Sequence, residues 1–133
     1  MKNKFYYPAI LQKEDIGYSI WLYDVSGCIS QGDTFQEAIE NINDALGLFF
    51  EDYKENLIDI PQATNPENIE LEEEQLLVIV EFDWLAYQAK YSNKSIKKTL
   101  TIPSWLNTMA EAQHINFSSV LQSALKDVLQ ISN

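Results

Sequence analysis

The fold is decided by the stretch GDTFQEAIENINDALGLFFEDY, residues 32–53. Thr34 stands at a helix N-cap position and Glu37 follows three residues later, which is the spacing of a capping box. Apolar side chains then recur at helical spacing for about five turns. They are Phe35, Ala38, Ile39, Ile42, Ala45, Leu46, Phe49 and Tyr53. The pattern predicts one long amphipathic helix with a buried face.

Before this helix the sequence predicts a three-stranded antiparallel meander. Its strands are expected at residues 5–11, 18–23 and 28–31, with turns at 13–17 and 24–27. Pro8 cannot donate a ladder hydrogen bond, so it favours a sheet edge or a bulge. Ile20 and Leu22 share one face with Tyr18. We expect the long helix to cover this meander.

After the helix comes a polar loop, residues 61–75, and then the apolar run Leu76–Val80. Such a run is typical of a strand buried on both faces. Residues 83–87 read as one capped helical turn. Residues 1–90 are therefore expected to form a βββαβ(α) domain of the α+β class, followed by a polar linker at 91–95.

The remaining residues, 96–133, predict one strand and two helices. Leu100 and Ile102 share one face of the strand 96–102, and Pro103 ends it. A helix is expected from about Ser104 to Gln113, and Asn116 caps a second. The second helix carries one apolar stripe. Its members are Phe117, Val120, Leu121, Ala124, Leu125, Val128 and Leu129.

A unit this small cannot bury a stable core alone, and its single strand needs a partner for its backbone groups. The simplest solution is a homodimer in which two strands form an antiparallel ribbon over four helices. The residues expected in the dimer core are Leu100, Ile102, Trp105, Leu121 and Leu125.

Charge divides the chain in the same way. Residues 1–90 hold five lysines against eighteen carboxylates, a net charge of −13, whereas residues 91–133 carry +2. An acidic surface attracts a basic protein and repels RNA, although acidity for solubility alone is common. All nine basic residues are lysines, so bidentate arginine recognition is excluded. Two surfaces with two roles are indicated.

Several other classes are excluded by composition. One cysteine, Cys28, and one histidine, His114, cannot supply a disulfide or a zinc site. No apolar run approaches the roughly 20 residues of a membrane span, and no signal-peptide core follows Met1, so a cytoplasmic protein is expected. No glycine-rich phosphate loop is present, and we expect no cofactor and no metal.

The exposed face of the ribbon is a candidate DNA-binding surface. A two-stranded ribbon fits the major groove, where Lys97, Thr99 and Thr101 would meet base edges or phosphates. The backbone amides of Phe117 and Ser118 would hold a phosphate at a helix N-terminus. The alternatives are an ordinary wet strand face and a simple capped turn.

This order of elements, a strand, a proline, a helix, a turn and a second helix, resembles that of the ribbon-helix-helix DNA-binding proteins. The resemblance is seen in residues 97–106 in particular. The N-terminal part resembles the HicB antitoxin family. The matching positions are Gly17-Tyr18, Asp24, Gly27-Cys28, Gly32-Asp33-Thr34, Glu37-Ala38, Asn41 and Ala45-Leu46. Tyr23 and Ser26 depart from prolines common in the family, and His114 from a glycine. Histidine adopts the left-handed conformation at some cost.

The resemblance implies a partial RNase H-like N-terminal domain, a C-terminal ribbon-helix-helix, and no catalysis. It implies an antitoxin that neutralises a HicA-like toxin, a small basic RNA-cleaving protein, and represses its own operon by binding operator DNA as a homodimer or a higher oligomer.

Two alternatives stay open. One is a ribbon-helix-helix transcription factor whose N-terminal domain senses a small molecule. The other is a metal-dependent nuclease, since RNase H-like folds cleave phosphodiesters with clustered carboxylates; Asp15, Asp24 and Asp83 are the candidates. Their positions in turns and at strand ends also suit ordinary turn and cap roles.

Overall fold

The computed structural model describes residues 3–92 and 94–131. The strands are β1 Lys4–Lys13, β2 Tyr18–Leu22, β3 Ile29–Gly32 and β4 Gln75–Asp83; the helices are α1 Phe35–Glu55, α2 Trp84–Tyr91, α3 Ser104–Ala112 and α4 Phe117–Leu129. A short 3-10 helix, Pro66–Asn68, lies between α1 and β4. The chain forms two compact units, Met1–Lys94 and Ser95–Asn133. The mixed α+β class is as predicted.

The first unit holds one antiparallel sheet with the strand order β3-β2-β1-β4. The predicted meander is therefore confirmed. Its first turn needs Gly17, which has a φ of +74°, and a Cβ there would lie 2.4 Å from the carbonyl oxygen of Gly32. Only glycine satisfies both conditions without strain.

Pro8 does not lie at a sheet edge, contrary to the prediction, because β1 is a central strand paired with both β2 and β4. The Pro8 carbonyl accepts a hydrogen bond from the amide of Tyr23, just past the end of β2. A residue in an extended strand directs its N–H and C=O to the same side. The N–H that Pro8 lacks would therefore point to the β2 side, at a position just past the end of β2. For this reason no hydrogen bond between β1 and β4 is lost.

Helix α1 packs over the sheet as predicted. The Thr34 side chain accepts a hydrogen bond from the Glu37 amide at 3.1 Å, which confirms the N-cap. The helix buries Ala38, Ile42, Leu46, Gly47 and Phe50. These meet core side chains from three strands, among them Tyr7, Ala9 and Leu11 of β1, Ile20 and Leu22 of β2, and Val80 and Phe82 of β4.

Strand β4 is an edge strand, so the prediction of a strand buried on both faces is wrong. Val80 and Phe82 are buried, whereas Leu76 and Ile79 are exposed. All five residues of the run Leu76–Val80 are apolar, so the sequence there does not distinguish the buried face from the exposed face. The alternation of polar and apolar residues is readable only at Glu81 and Phe82. The helical turn predicted at 83–87 extends to two turns as α2.

The connection from α1 to β4 is fastened to the sheet at two points. The Tyr7 hydroxyl donates to the Pro61 carbonyl at 2.6 Å. The Asp24 carboxylate accepts from both the amide and the hydroxyl of Thr64. The long polar loop therefore has a fixed path beside β1 and β2.

Within the described ranges, no helix is both long enough and apolar enough to cross a bilayer.

Candidate functional site

Residues 95–103, which precede α3, form no regular secondary structure in this single chain, and every one of them is exposed. The strand predicted at 96–102 is thus not formed here. The physical reason is that a strand exists only in a ladder, and its hydrogen bonds need a second strand. The ribbon stays a prediction about an assembly of two chains.

The predicted base-reading residues Lys97, Thr99 and Thr101 lie within this segment and are exposed. Phe117 and Ser118 lie elsewhere in the second unit, in the first turn of α4. The structure places these five residues on the surface.

The start of α4 has the cap expected from the sequence. The Asn116 side chain accepts a hydrogen bond from the Ser119 amide at 3.1 Å. The amides of Phe117 and Ser118 have no acceptor within the described part of the chain. Two unpaired donors at a helix N-terminus are the groups that hold an anion, although every helix begins with such donors.

The turn before α4 is made by His114, which has a φ of 54°. The left-handed conformation expected at this position is therefore present, with histidine in place of glycine.

The second unit has no buried residue among those described, and this is its main feature. The predicted dimer-core residues are open to solvent: Trp105 is 65% exposed, Leu100 is 54% and Leu125 is 49%. Ile102 is also exposed, and Leu121 is half-buried. Trp105 therefore does not belong to a core within this chain. A stripe of large apolar side chains remains uncovered.

The first unit presents a different surface. Each of its carboxylates is at least partly accessible in the described residues, since no charged side chain there is buried. Two ion pairs, Lys4 with Glu81 at 3.5 Å and Lys90 with Asp44 at 3.7 Å, offset little of the net charge of −13 that residues 1–90 carry. Exposed pairs of this kind add little stability.

The three candidate catalytic carboxylates are not brought together. Asp24 is held by Thr64, and Asp83 caps α2 by accepting from the Ala86 amide at 3.1 Å. Asp15 lies in the turn between β1 and β2. In the described ranges no three His, Cys, Asp or Glu side chains are grouped closely enough to hold a metal ion. Asp24 and Asp83 have structural roles in this arrangement.

Cys28 is buried in the core, and burial raises the pKa of its thiol to about 11. A thiol held protonated is inert at neutral pH. Trp84 packs in an aromatic group with Phe50, Phe82 and Tyr87, with its ring stacked on that of Tyr87. Trp21 is half-buried.

Sequence reasoning missed the open edge of β4 and the close packing of Gly47 against Tyr87. The first had no local signal, because the edge position of β4 depends on the strand order. The second had none, because forty residues separate the pair.

Both units of this chain are similar to known proteins. The family model described as "HicB_like antitoxin of bacterial toxin-antitoxin system" matches residues 6–125. A UPF0150 protein of Synechocystis is 47% identical over 51 residues, which is 38% of this chain and 65% of that protein. A 14.9 kDa protein of Haemophilus phage HP1 is 37% identical over 60 residues, 45% of this chain and 44% of that protein. The alignments thus span less than two thirds of either relative.

Among solved structures, one described as a toxin–antitoxin complex from Streptococcus pneumoniae has a TM-score of 0.60 at 25% identity, covering 93% of this chain and 98% of that one. The crystal structure of antitoxin HicB3 has a TM-score of 0.53 at 27% identity, with 81% of each chain covered. The family match extends over both units and most of the length. This chain therefore belongs to the family of HicB-like antitoxins of bacterial toxin–antitoxin systems.

Proposed function

We propose that this chain is the antitoxin of a HicAB-type toxin–antitoxin system. In this proposal residues 1–90, with the linker 91–95 after them, bind a small basic RNA-cleaving toxin and mask it. The second unit dimerises as a ribbon-helix-helix and represses the operon that encodes both proteins.

The observation that carries the proposal is the contrast between the two units. One has a packed core and an acidic surface, with a net charge of −13 over residues 1–90. The other has no buried residue in its described part, a net charge of +2 over residues 91–133, and its apolar stripes exposed. The first arrangement suits a basic protein partner. The second is incomplete until another chain covers it.

The fold of each unit supports the finer assignment. A sheet of order β3-β2-β1-β4 under one long helix suits the partial RNase H-like domain of the family. Residues 96–102 followed by α3 and α4 supply the ribbon and both helices of a ribbon-helix-helix. Masking rather than chemistry is proposed because Asp24 and Asp83 serve as structural acceptors. The S. pneumoniae relative is described as a complex of toxin with antitoxin.

The DNA-binding role is assigned to Lys97, Thr99 and Thr101 on the paired ribbons, with the amides of Phe117 and Ser118 as phosphate anchors. Two-fold symmetry of the dimer then requires a two-fold symmetric operator. With no arginine and few lysines in this unit, one dimer makes few phosphate contacts, so adjacent dimers on neighbouring half-sites are expected.

The test is co-expression of the full chain with the small basic reading frame beside its gene. We expect growth rescue and a complex that survives purification, whereas an unrelated acidic protein expressed at the same level gives neither. If no such frame exists, or if no rescue and no complex are found, the antitoxin proposal fails. A repressor that responds to a small molecule then becomes the better account.

A further inference from the structure

The sheet of the first unit has two edges, and they differ. Strand β3 is four residues long, and the Gln31 carbonyl on it accepts a hydrogen bond from the Asn41 side chain at 2.8 Å. Strand β4 is nine residues long and forms the other edge. Short or covered edges are the usual protection against pairing with another chain. Among the residues that the structure describes, only β3 has that protection.

The ladder geometry identifies which groups of β4 are free. Pro8 directs its carbonyl towards β2, where it accepts a hydrogen bond from the amide of Tyr23. On the other side of β1, the residue of β4 opposite Pro8 is Ile79. In an antiparallel ladder such a pair is not hydrogen-bonded, so Ile79 directs its N–H and C=O away from β1. By alternation Leu77 and Glu81 do the same. Their backbone groups meet no other partner within the described ranges.

The side chains along this edge are apolar and accessible. Leu76 is 61% exposed on the side of α1, and Ile79 is 49% exposed on the opposite face of the sheet. Leu77, next to them, is half-buried. A long apolar edge with unpaired amides is a template for an added strand, in which backbone bonds give affinity and side-chain pockets give specificity.

Charge decides which strand fits. The acidic run Glu72-Glu73-Glu74 precedes β4, and two further carboxylates lie at its far end: Glu81, which pairs with Lys4, and Asp83, which caps α2. A second copy of this chain would place two acidic segments against each other, each with a net charge of −13 over residues 1–90, which is unfavourable. A basic strand meets opposite charge at both ends and apolar side chains in the middle.

We propose that the basic protein partner adds a β-strand to the β4 edge. Its backbone bonds to Leu77, Ile79 and Glu81, and its lysines or arginines face the acidic groups at both ends. This inference rests on the proposed function, because the partner is the toxin assigned there, and it names the surface of the first unit that this toxin occupies.

The test is amide hydrogen exchange, measured by NMR on the full chain alone and in complex with the protein encoded by the adjacent basic frame. That partner protein carries a substitution that inactivates it. Strand addition predicts that the amides of Leu77, Ile79 and Glu81 exchange at least tenfold more slowly in the complex. Val78 and Val80, already bonded to β1, change little. Protection without this alternation, or none along β4, overturns the inference.

Two variants separate this inference from the proposed function. Ile79→Pro removes an outward N–H and is tolerated at such a position, while Ile29→Pro on β3 is the matched control. We expect Ile79→Pro to weaken partner binding at least tenfold and Ile29→Pro to leave it unchanged. Should Ile79→Pro not fold by circular dichroism, Ile79→Lys repels the basic strand with the backbone intact.

Equal binding by a folded Ile79 variant and the wild type overturns strand addition and leaves the antitoxin function standing. Loss of binding by Ile29→Pro instead, in a folded protein, assigns the partner to β3 and also overturns the inference. If the wild-type chain binds no basic protein at all, the proposed function itself is wrong.

Discussion

The ring of Tyr87 occupies the space that a side chain on Gly47 would fill: a Cβ built on Gly47 lies 2.0 Å from Cε2 of Tyr87. Gly47 is inside α1, where glycine lowers helix stability by about 1 kcal/mol relative to alanine. The close approach explains its presence. It lets α2 lie against α1, with the Tyr87 hydroxyl donating to Glu51 at 3.2 Å.

Gly47→Ala is therefore expected to destabilise the protein, although it improves helix propensity. Overpacking costs about 1–3 kcal/mol, which outweighs the propensity gain of about 1 kcal/mol. Urea unfolding of the variant measures the difference. In a Tyr87→Ala background the same substitution has room, so it is expected to be neutral or stabilising. An equal loss in both backgrounds would contradict the packing argument.

The sequence predicted what depends on local pattern and missed what depends on distant neighbours. The cap at Thr34 and the stripe of α1 follow from short-range rules, whereas the left-handed turn at His114 was implied by the family resemblance; the structure has all three. The edge position of β4 depends on the strand order. Pro8 was misplaced for the same reason, because its tolerance in a central strand depends on where β2 ends.

The two proposed interaction surfaces, residues 97–101 and the β4 edge, differ in how much of each the sequence predicted. Lys97, Thr99 and Thr101 are exposed as expected, but their strand needs a second chain, so a single chain does not form it. The acidic character of the first unit was readable from composition. Its open edge was not, because which strand lies outermost is a property of the sheet.

Thr64 and Asp24 provide a second test of stability. Asp24→Ala leaves the Thr64 amide and hydroxyl without their acceptor, and we expect a loss of about 1–3 kcal/mol in unfolding free energy. Asp15→Ala, in an exposed turn, serves as the control and should change little. The purified wild type should also show no RNA cleavage that Asp24→Ala removes. Such an activity would instead support the nuclease alternative.

Stability is expected to fall in alkaline solution. Burial raises the pKa of the Cys28 thiol from 9.0 to about 11 and that of the Tyr7 hydroxyl from 10.0 to about 12. Above pH 9 the unfolded chain releases protons that the folded chain retains, so stability decreases as the pH rises through this range. Urea midpoints between pH 8 and pH 11 measure the slope. Cys28→Ala should flatten its first part, and an unchanged slope would contradict the assignment.

Dimerisation of the second unit can be tested by light scattering on the full chain. We expect twice the chain mass of 15.3 kDa, and the chain mass itself for Leu125→Asp, which places a charge in the apolar stripe. Gln122→Asp adds the same charge to α4 outside that stripe and should stay dimeric. A monomeric wild type, or a dimeric Leu125→Asp, would refute dimerisation through this face.

The central claim is tested most directly by one double variant, Thr99→Ala with Thr101→Ala, which should lose specific DNA binding and keep partner binding. Each lost base contact costs about 1–3 kcal/mol, so binding to its own promoter DNA at fixed salt should become nonspecific, while growth rescue and the complex with the basic partner persist. Thr108→Ala, whose hydroxyl bonds within α3, is the control. Retained specific binding by the double variant, or simultaneous loss of rescue in a folded protein, would contradict the division of the chain into a partner-binding unit and a DNA-binding unit.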